Sequence, residues 1–197
     1  MTALVLASSS RYRAELLSRL GLEFTTARPD VDETPHAGED AHALVGRLAE
    51  AKARAVALNH PDALVIGSDQ VGVHRSGMNE VILGKPHTAE RACEQLAALS
   101  GQCVRFLTSL CLLNAATNST QLQVIVTPVT FRTLTSSEIE RYVAIEQPLD
   151  CAGAFKSEGL GIALFESIGG GDPNALIGLP LIALCAMLRA EGCSVLA

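Results

Sequence analysis

The chain has no excess of basic residues: 15 Lys and Arg stand against 21 Asp and Glu, a formal net charge of −6. A general nucleic-acid binder is usually basic, so that class is set aside, while a small anion held by a local cluster of cations is not. An apolar run of membrane-spanning length is also missing. The longest run, Ala175 to Leu188, falls short of the roughly 20 residues a spanning helix needs, and Gly178 and Pro180 interrupt it. The brief apolar stretch from Ala3 to Ala7 has no basic residue ahead of it, which argues against a secretory signal. The six cysteines (93, 103, 111, 151, 185 and 193) never pair at the two- to four-residue spacing of a zinc or redox site, and the five histidines are scattered. We expect the cysteines to be small buried hydrophobes in a reducing cytoplasm. There is no internal repeat, low-complexity tract or linker.

What remains is 48% hydrophobic and 18% charged over 197 residues, which describes a globular chain rather than a disordered one. A single domain over residues 1–197, of mixed α/β type, is the expectation. Ala3 to Ala7 reads as a buried strand that ends in Ser8, Ser9 and Ser10. A helix follows from Glu15 to Leu20, stopped at Gly21, so Arg11 and Arg13 fall on a strand-to-helix turn. Hydroxyls, guanidinium groups and free N–H groups at a helix start suit an anion, although the glycines of a P-loop are lacking and a serine cap alone explains the pattern equally well. The polar connection from Phe24 to Pro35 carries Asp30, Asp32 and Glu33, either as solvated acids or as oxygens for a divalent cation.

The clearest helix spans Asp40 to Asn59, with Leu44, Val45, Leu48, Ala51, Ala55 and Leu58 at three- and four-residue steps. Lys52 lies on or beside its inward face, either snorkelling to solvent or aimed into a cleft. Next comes the stretch ALVIGSDQVGV, residues 63–73, in which Ser68, Asp69 and Gln70 interrupt an apolar run. Burying an unpaired carboxylate is costly. Asp69 therefore either caps a turn between two strands or is a catalytic or metal-holding group at a strand end or bulge.

A turn around Ser76 to Asn79 would return Val81–Leu83 antiparallel to Val71–His74, with Lys85 on the rigid turn Gly84–Pro86. Further expected elements are a helix from Thr88 to Leu99, strands at Cys103–Asn114 and Leu122–Arg132, and a helix opened by the capping box Thr135/Glu138 and running to about Glu146. A strand at Ile162–Ile168 and a last helix from Pro180 to about Ala190 complete the chain.

These pieces, in this order, resemble the Maf family of nucleoside triphosphate pyrophosphatases. The matching segments are LASSS with Arg13, Val31–Glu33, RLAEAKA (47–53), IGSDQV (66–71), GKP (84–86), TFRTLT (130–135), and CAGAFKSEG (151–159) through GLPL (178–181). They span nearly the whole chain. Many relatives have proline where this chain has Arg11. The resemblance is to the branch that hydrolyses 7-methylguanosine triphosphate, whose catalytic stretch reads SDQ. The thymidine- and uridine-triphosphate branch typically has Ala, Asp, Thr there, and glutamine where this chain has Glu158.

The resemblance implies a long, largely antiparallel curved sheet flanked by helices, with two lobes around a cleft, a fold similar to that of the inosine triphosphate pyrophosphatases, and often a homodimer. It implies Asp69 as general base for water attack at the α–β phosphate linkage. Ser8, Arg13, Lys52 and Lys85 would bind the phosphates, and Tyr12, Gln70 and Glu158 the base. Glu33 and Asp69 would hold a divalent cation, Mg²⁺ first, with Mn²⁺ or Co²⁺ as substitutes. Glu158, an acceptor only, suits the N1–H and N2–H₂ donors of guanine, and a carboxylate and the Tyr12 face both favour the cationic methylated purine. Two rival readings are another nucleotide specificity within the family, and a non-catalytic nucleotide-binding regulator of septum formation.

Overall fold

The computed structural model describes residues 2–76 and 79–196. Five helices and seven strands are formed among them, and each helix start is explained by its own sequence. Helix α1 (Arg11–Ser18) is capped by Ser10, α2 (Ala41–Ala57) by Asp40 and α3 (Ala89–Leu99) by Thr88, each side chain accepting the N–H three residues on. Helix α4 (Ser136–Glu146) opens with the reciprocal Thr135/Glu138 capping box, and α5 (Leu181–Ala190) follows Pro180.

The strands are β1 (Leu4–Ala7), β2 (Thr25–Ala27), β3 (Leu64–Ser76), β4 (Asn79–Leu83), β5 (Cys103–Asn114), β6 (Ser119–Phe131) and β7 (Phe165–Ile168). They form one sheet in the order β2-β1-β3-β5-β6-β7, with β4 also paired to β3. Strand β1 runs parallel to both β2 and β3, whereas β3–β4 and β6–β7 are antiparallel. Beside β3 and β5, the Ala63 carbonyl accepts from the Ala115 amide, and the Asp69 amide donates to the Ser109 hydroxyl, so residue numbers rise on one strand as they fall on the other. The sheet is thus mixed and mostly antiparallel, as the sequence implied.

The chain divides into two compact units. The first comprises Met1–Gln70, Thr108–Ile125 and Asp172–Ala197, and the second Val71–Leu107 and Val126–Gly171. In the first, the period-two alternation of the strands sorts side chains onto two faces. Leu4, Leu6, Leu64, Ile66, Leu110 and Leu112 pack with Leu16 and Leu17 of α1 and Leu184 and Leu188 of α5. Val5, Ala7, Val65, Cys111 and Leu113 pack with Ala49, Ala53 and Val56 of α2. The α2 face is lined by small side chains, so helix and sheet approach closely. In the second unit, four of the five phenylalanines (Phe106, Phe131, Phe155 and Phe165) form an edge-to-face cluster with centroids 4.9–5.7 Å apart.

Several expectations need correction. Strand β3 runs unbroken through Asp69, so this residue neither caps a turn nor ends a strand. Arg11 and Arg13 lie within the first turn of α1 rather than before it. The polar connection after Phe24 includes β2, whose pairing to β1 could not be read from three ordinary residues. Leu58 is 84% exposed because α2 buries the face of Leu48, Ala49, Lys52, Ala53 and Val56, and the helical period carries Leu58 to the opposite side. Ile162 belongs to a short 3-10 turn that precedes β7. Of the cysteines only Cys111 is fully buried, and Cys103 is exposed. The β3–β4 hairpin forms as expected, but residues 77 and 78 of its turn lie outside the described residues.

Candidate active site

The same alternation that builds the core positions the polar residues of the first unit. Gly67 closes the pairing of β3 with β1, and pairing with β4 begins at Gly72, leaving 68–71 between the two. Along this segment Ser68 and Gln70 continue the α5 face, and Asp69 continues the α2 face. Strand β5 repeats the pattern, with Thr108 on the α5 face and Ser109 on the α2 face.

Asp69 is 8% exposed and Lys52 6%. Lys52 occupies the middle of the buried face of α2, and its Nζ donates to Asp69 Oδ1 at 2.7 Å. The same Nζ lies 2.7 Å from Glu33 Oε1, whose side chain is 61% exposed. One ammonium therefore joins two carboxylates from a loop and a strand, which resolves the cost of burying Asp69. Arg47, five residues before Lys52 on α2, fastens the loop carrying Glu33. It forms two bonds to Glu39, at 2.6 and 2.7 Å, and donates to the Thr34 carbonyl at 3.1 Å. The pair with Arg47, helped by the His36 amide, draws the Glu39 pKa down to about 2.

Arg13 donates Nε to the Gly178 carbonyl at 2.9 Å, which leaves the terminal nitrogens of its fork uncommitted to that bond. Burial lowers the Arg13 pKa, while the nearby charges of Asp69 and Glu33 oppose the shift. The Gly178 carbonyl also accepts from Ser68 Oγ at 3.0 Å. Gln70 spends its amide on Thr108 Oγ1 at 2.8 Å and on the Ala175 and Leu176 carbonyls at 3.0 Å each. The loop that supplies these carbonyls is held at its start by Asp172, a buried carboxylate that accepts from the Asn174 and Ile182 amides.

Ser8 is buried just beyond the Ala7–Gly67 register pair, and its Oγ accepts from the Ser10 amide. Tyr12 is half-buried, with the Arg11 guanidinium 4.8 Å from its ring centroid and donating to its hydroxyl.

The structure thus brings Glu33, Lys52, Asp69 and Arg13 together and places Ser8 at the adjoining strand end. It gives Gln70 a loop-holding position. Lys85 is exposed after β4 in the second unit, and Glu158 is exposed in the same unit beside Ser157. Sequence reasoning missed Arg47, Ser68, Thr108, Ser109 and Asp172. Thr108 and Ser109 did carry a signal, because they interrupt the apolar run of β5 just as Asp69 interrupts that of β3.

Among the described residues no group of three or more His, Cys, Asp or Glu side chains is placed to hold a metal ion. Two carboxylate oxygens nevertheless converge on a single cationic point, the Lys52 Nζ. Magnesium is commonly held by one or two carboxylates together with substrate phosphates, and this donor pair fits such an ion.

A serine-capped helix following a parallel strand, with Arg and Lys set against acidic oxygens, defines an α/β protein equipped for phosphate chemistry. The chain belongs to the Maf family: the family model described as Maf-like protein matches residues 3–191. It is 58% identical over 192 residues, covering 98% of each chain, to a protein of Pseudomonas putida named 7-methyl-GTP pyrophosphatase. A Pseudomonas fluorescens protein of the same name is 57% identical over 192 residues, again 98% of each chain. Another, from Nitrosococcus oceani, is 55% identical over 193 residues, 98% of this chain and 95% of its own. Maf nucleotide pyrophosphatases are generally dependent on a divalent metal.

Proposed function

We propose that this protein hydrolyses 7-methyl-GTP to 7-methyl-GMP and diphosphate, with Asp69 as the general base. The observation that carries the reading is the buried contact between Lys52 Nζ and Asp69 Oδ1. Lys52 occupies Oδ1 and orients the carboxylate, so Oδ2 is the oxygen available to a water molecule. Water attacks at the α–β linkage, one of its protons passes to Asp69, and the phosphorus–oxygen bond to the diphosphate breaks. Arg13, fixed through Nε, presents the rest of its fork to phosphate oxygens. Ser8 adds a hydroxyl donor. Lys85, in the second unit, is the further cation assigned to the phosphates.

A divalent cation, Mg²⁺ in our assignment, would be held by Glu33 and Asp69 and would neutralise phosphate charge when bound. Base choice is assigned to Tyr12, Gln70 and Glu158. Glu158 offers only acceptors, which match guanine N1–H and N2–H₂, and its charge favours the cationic 7-methyl base. Gln70 contributes by fixing the carbonyls of Ala175 and Leu176. We assign the protein to the cytoplasm as a homodimer, forming one functional domain that takes a free nucleotide rather than nucleic acid. Among the described residues no helix is long and apolar enough to cross a membrane.

The testing experiment is pyrophosphate release with Mg²⁺ from a panel of 7-methyl-GTP, GTP, dTTP and UTP. Preference for 7-methyl-GTP is expected. Preference for dTTP and UTP would transfer the protein to the other branch, and binding without turnover would support a regulator.

A further inference from the structure

Ser109 lies wholly buried in the middle of β5, where its neighbours on the same face are Cys111 and Leu113. A hydroxyl in such a place has to satisfy its own polar atoms, and this one satisfies them on two different elements. Its Oγ accepts the Asp69 backbone N–H at 3.1 Å, and its proton goes to the Val45 carbonyl of α2 at 2.7 Å. Val45 lies seven residues, two turns, before Lys52 on the same buried face of that helix. Ser109 thus bridges the strand that carries Asp69 and the helix that carries Lys52.

A second feature shows how closely those elements are drawn together. A Cβ on Gly67 would lie 2.0 Å from the Ala49 carbonyl oxygen and 3.0 Å from the Ala53 nitrogen, so only glycine admits α2 at this distance. Gly67 and Asp69 are two residues apart on the same face of β3, and Ala49 and Ala53 flank Lys52 on α2. The approach of α2 to β3 is therefore fixed by a missing side chain on one side of Asp69 and by a hydroxyl bridge at Asp69 itself.

We propose that Ser109 is a positioning residue for the reaction, holding α2 against β3 so that Lys52 reaches Asp69. The inference rests on the reading of Asp69 as base. Ser109 is wholly buried, so its effect on the reaction runs only through the Lys52–Asp69 contact. A hydroxyl serving stability alone would lower turnover equally whatever stood at position 52.

The test is a double-mutant cycle with 7-methyl-GTP and Mg²⁺, read by single turnover with enzyme in excess so that slow variants remain measurable. Ser109→Ala in the otherwise unaltered protein is expected to lower the maximal single-turnover rate about tenfold with the half-saturating enzyme concentration within about twofold, the scale of a sub-ångström misplacement. In a Lys52→Met background the same change is expected to cost less than about twofold. Equal losses in both backgrounds, or no loss in the first, would overturn the proposal. Should Ser109→Ala fail to fold, Ser109→Cys, close in size but a weak donor, carries the same cycle with the same criteria. Asp69→Asn is run in parallel. Full turnover there would remove the base assignment and this inference with it, whereas an inactive Asp69→Asn beside additive losses would overturn the Ser109 inference alone.

Discussion

Lys52 and Asp69, 17 residues apart in sequence, meet through a 2.7 Å hydrogen bond in the interior of the first unit. Removing one member of a buried pair leaves an uncompensated charge. Lys52→Met is therefore expected to destabilise the fold by about 3 kcal/mol, with Lys52→Met/Asp69→Asn recovering part of the loss. Urea midpoints of the three proteins check this, and equal midpoints for Lys52→Met and the unaltered chain would contradict it.

Stability should also fall in acid. Glu39 is held by Arg47 and the His36 amide, and Glu138 by the Thr135 amide and hydroxyl and by Arg132. Each carboxyl is drawn from the ordinary 4.5 to about 2. A carboxylate with a depressed folded-state pKa favours the folded chain above its unfolded value and ceases to do so as pH falls through the folded one. The loss is thus expected between pH 4.5 and about 2. Urea midpoints measured across that range should decline less steeply for Glu39→Gln and for Glu138→Gln.

Gln70→Glu replaces a donating amide with a carboxylate facing the Ala175 and Leu176 carbonyls. We expect a loss of about 2 kcal/mol in thermal unfolding, the cost of leaving buried groups unpaired. The ratio of kcat/KM for 7-methyl-GTP over GTP should fall with it. A full-strength ratio in the destabilised variant would separate Gln70 from base choice.

Glu158→Gln retains size and removes charge. The preference for 7-methyl-GTP over GTP, taken as a ratio of kcat/KM values, is expected to drop about tenfold. An unchanged ratio would exclude the charge of Glu158 as the reader of the methylated base.

Much of this was legible because it is local. The Thr135/Glu138 box, the helix starts at Thr88 and Asp40 and the apolar runs of β1 and β3 each follow from a few neighbouring residues. Asp69 was conspicuous for the same reason, as a charge inside an apolar run. Its setting was not legible. A strand passing straight through Asp69 is tolerable only because Lys52 and the Ser109 hydroxyl arrive from other elements. The segment of Glu33 read equally as solvated acids or as oxygens for a cation, and only the resemblance singled Glu33 out, since nothing in its own segment shows that α2 captures it through Lys52 while Arg47 pins the loop beside it. The small β2 strand owes its existence to the adjacent β1 edge rather than to its own residues.

The most direct measurement is pyrophosphate release from 7-methyl-GTP with Mg²⁺ by Asp69→Asn, set beside the unaltered protein. Asparagine preserves shape but is a far weaker base, so turnover is expected to fall by about 10² to 10⁴ with the fold retained. Equal turnover in the two proteins would contradict the assignment of Asp69 as the base.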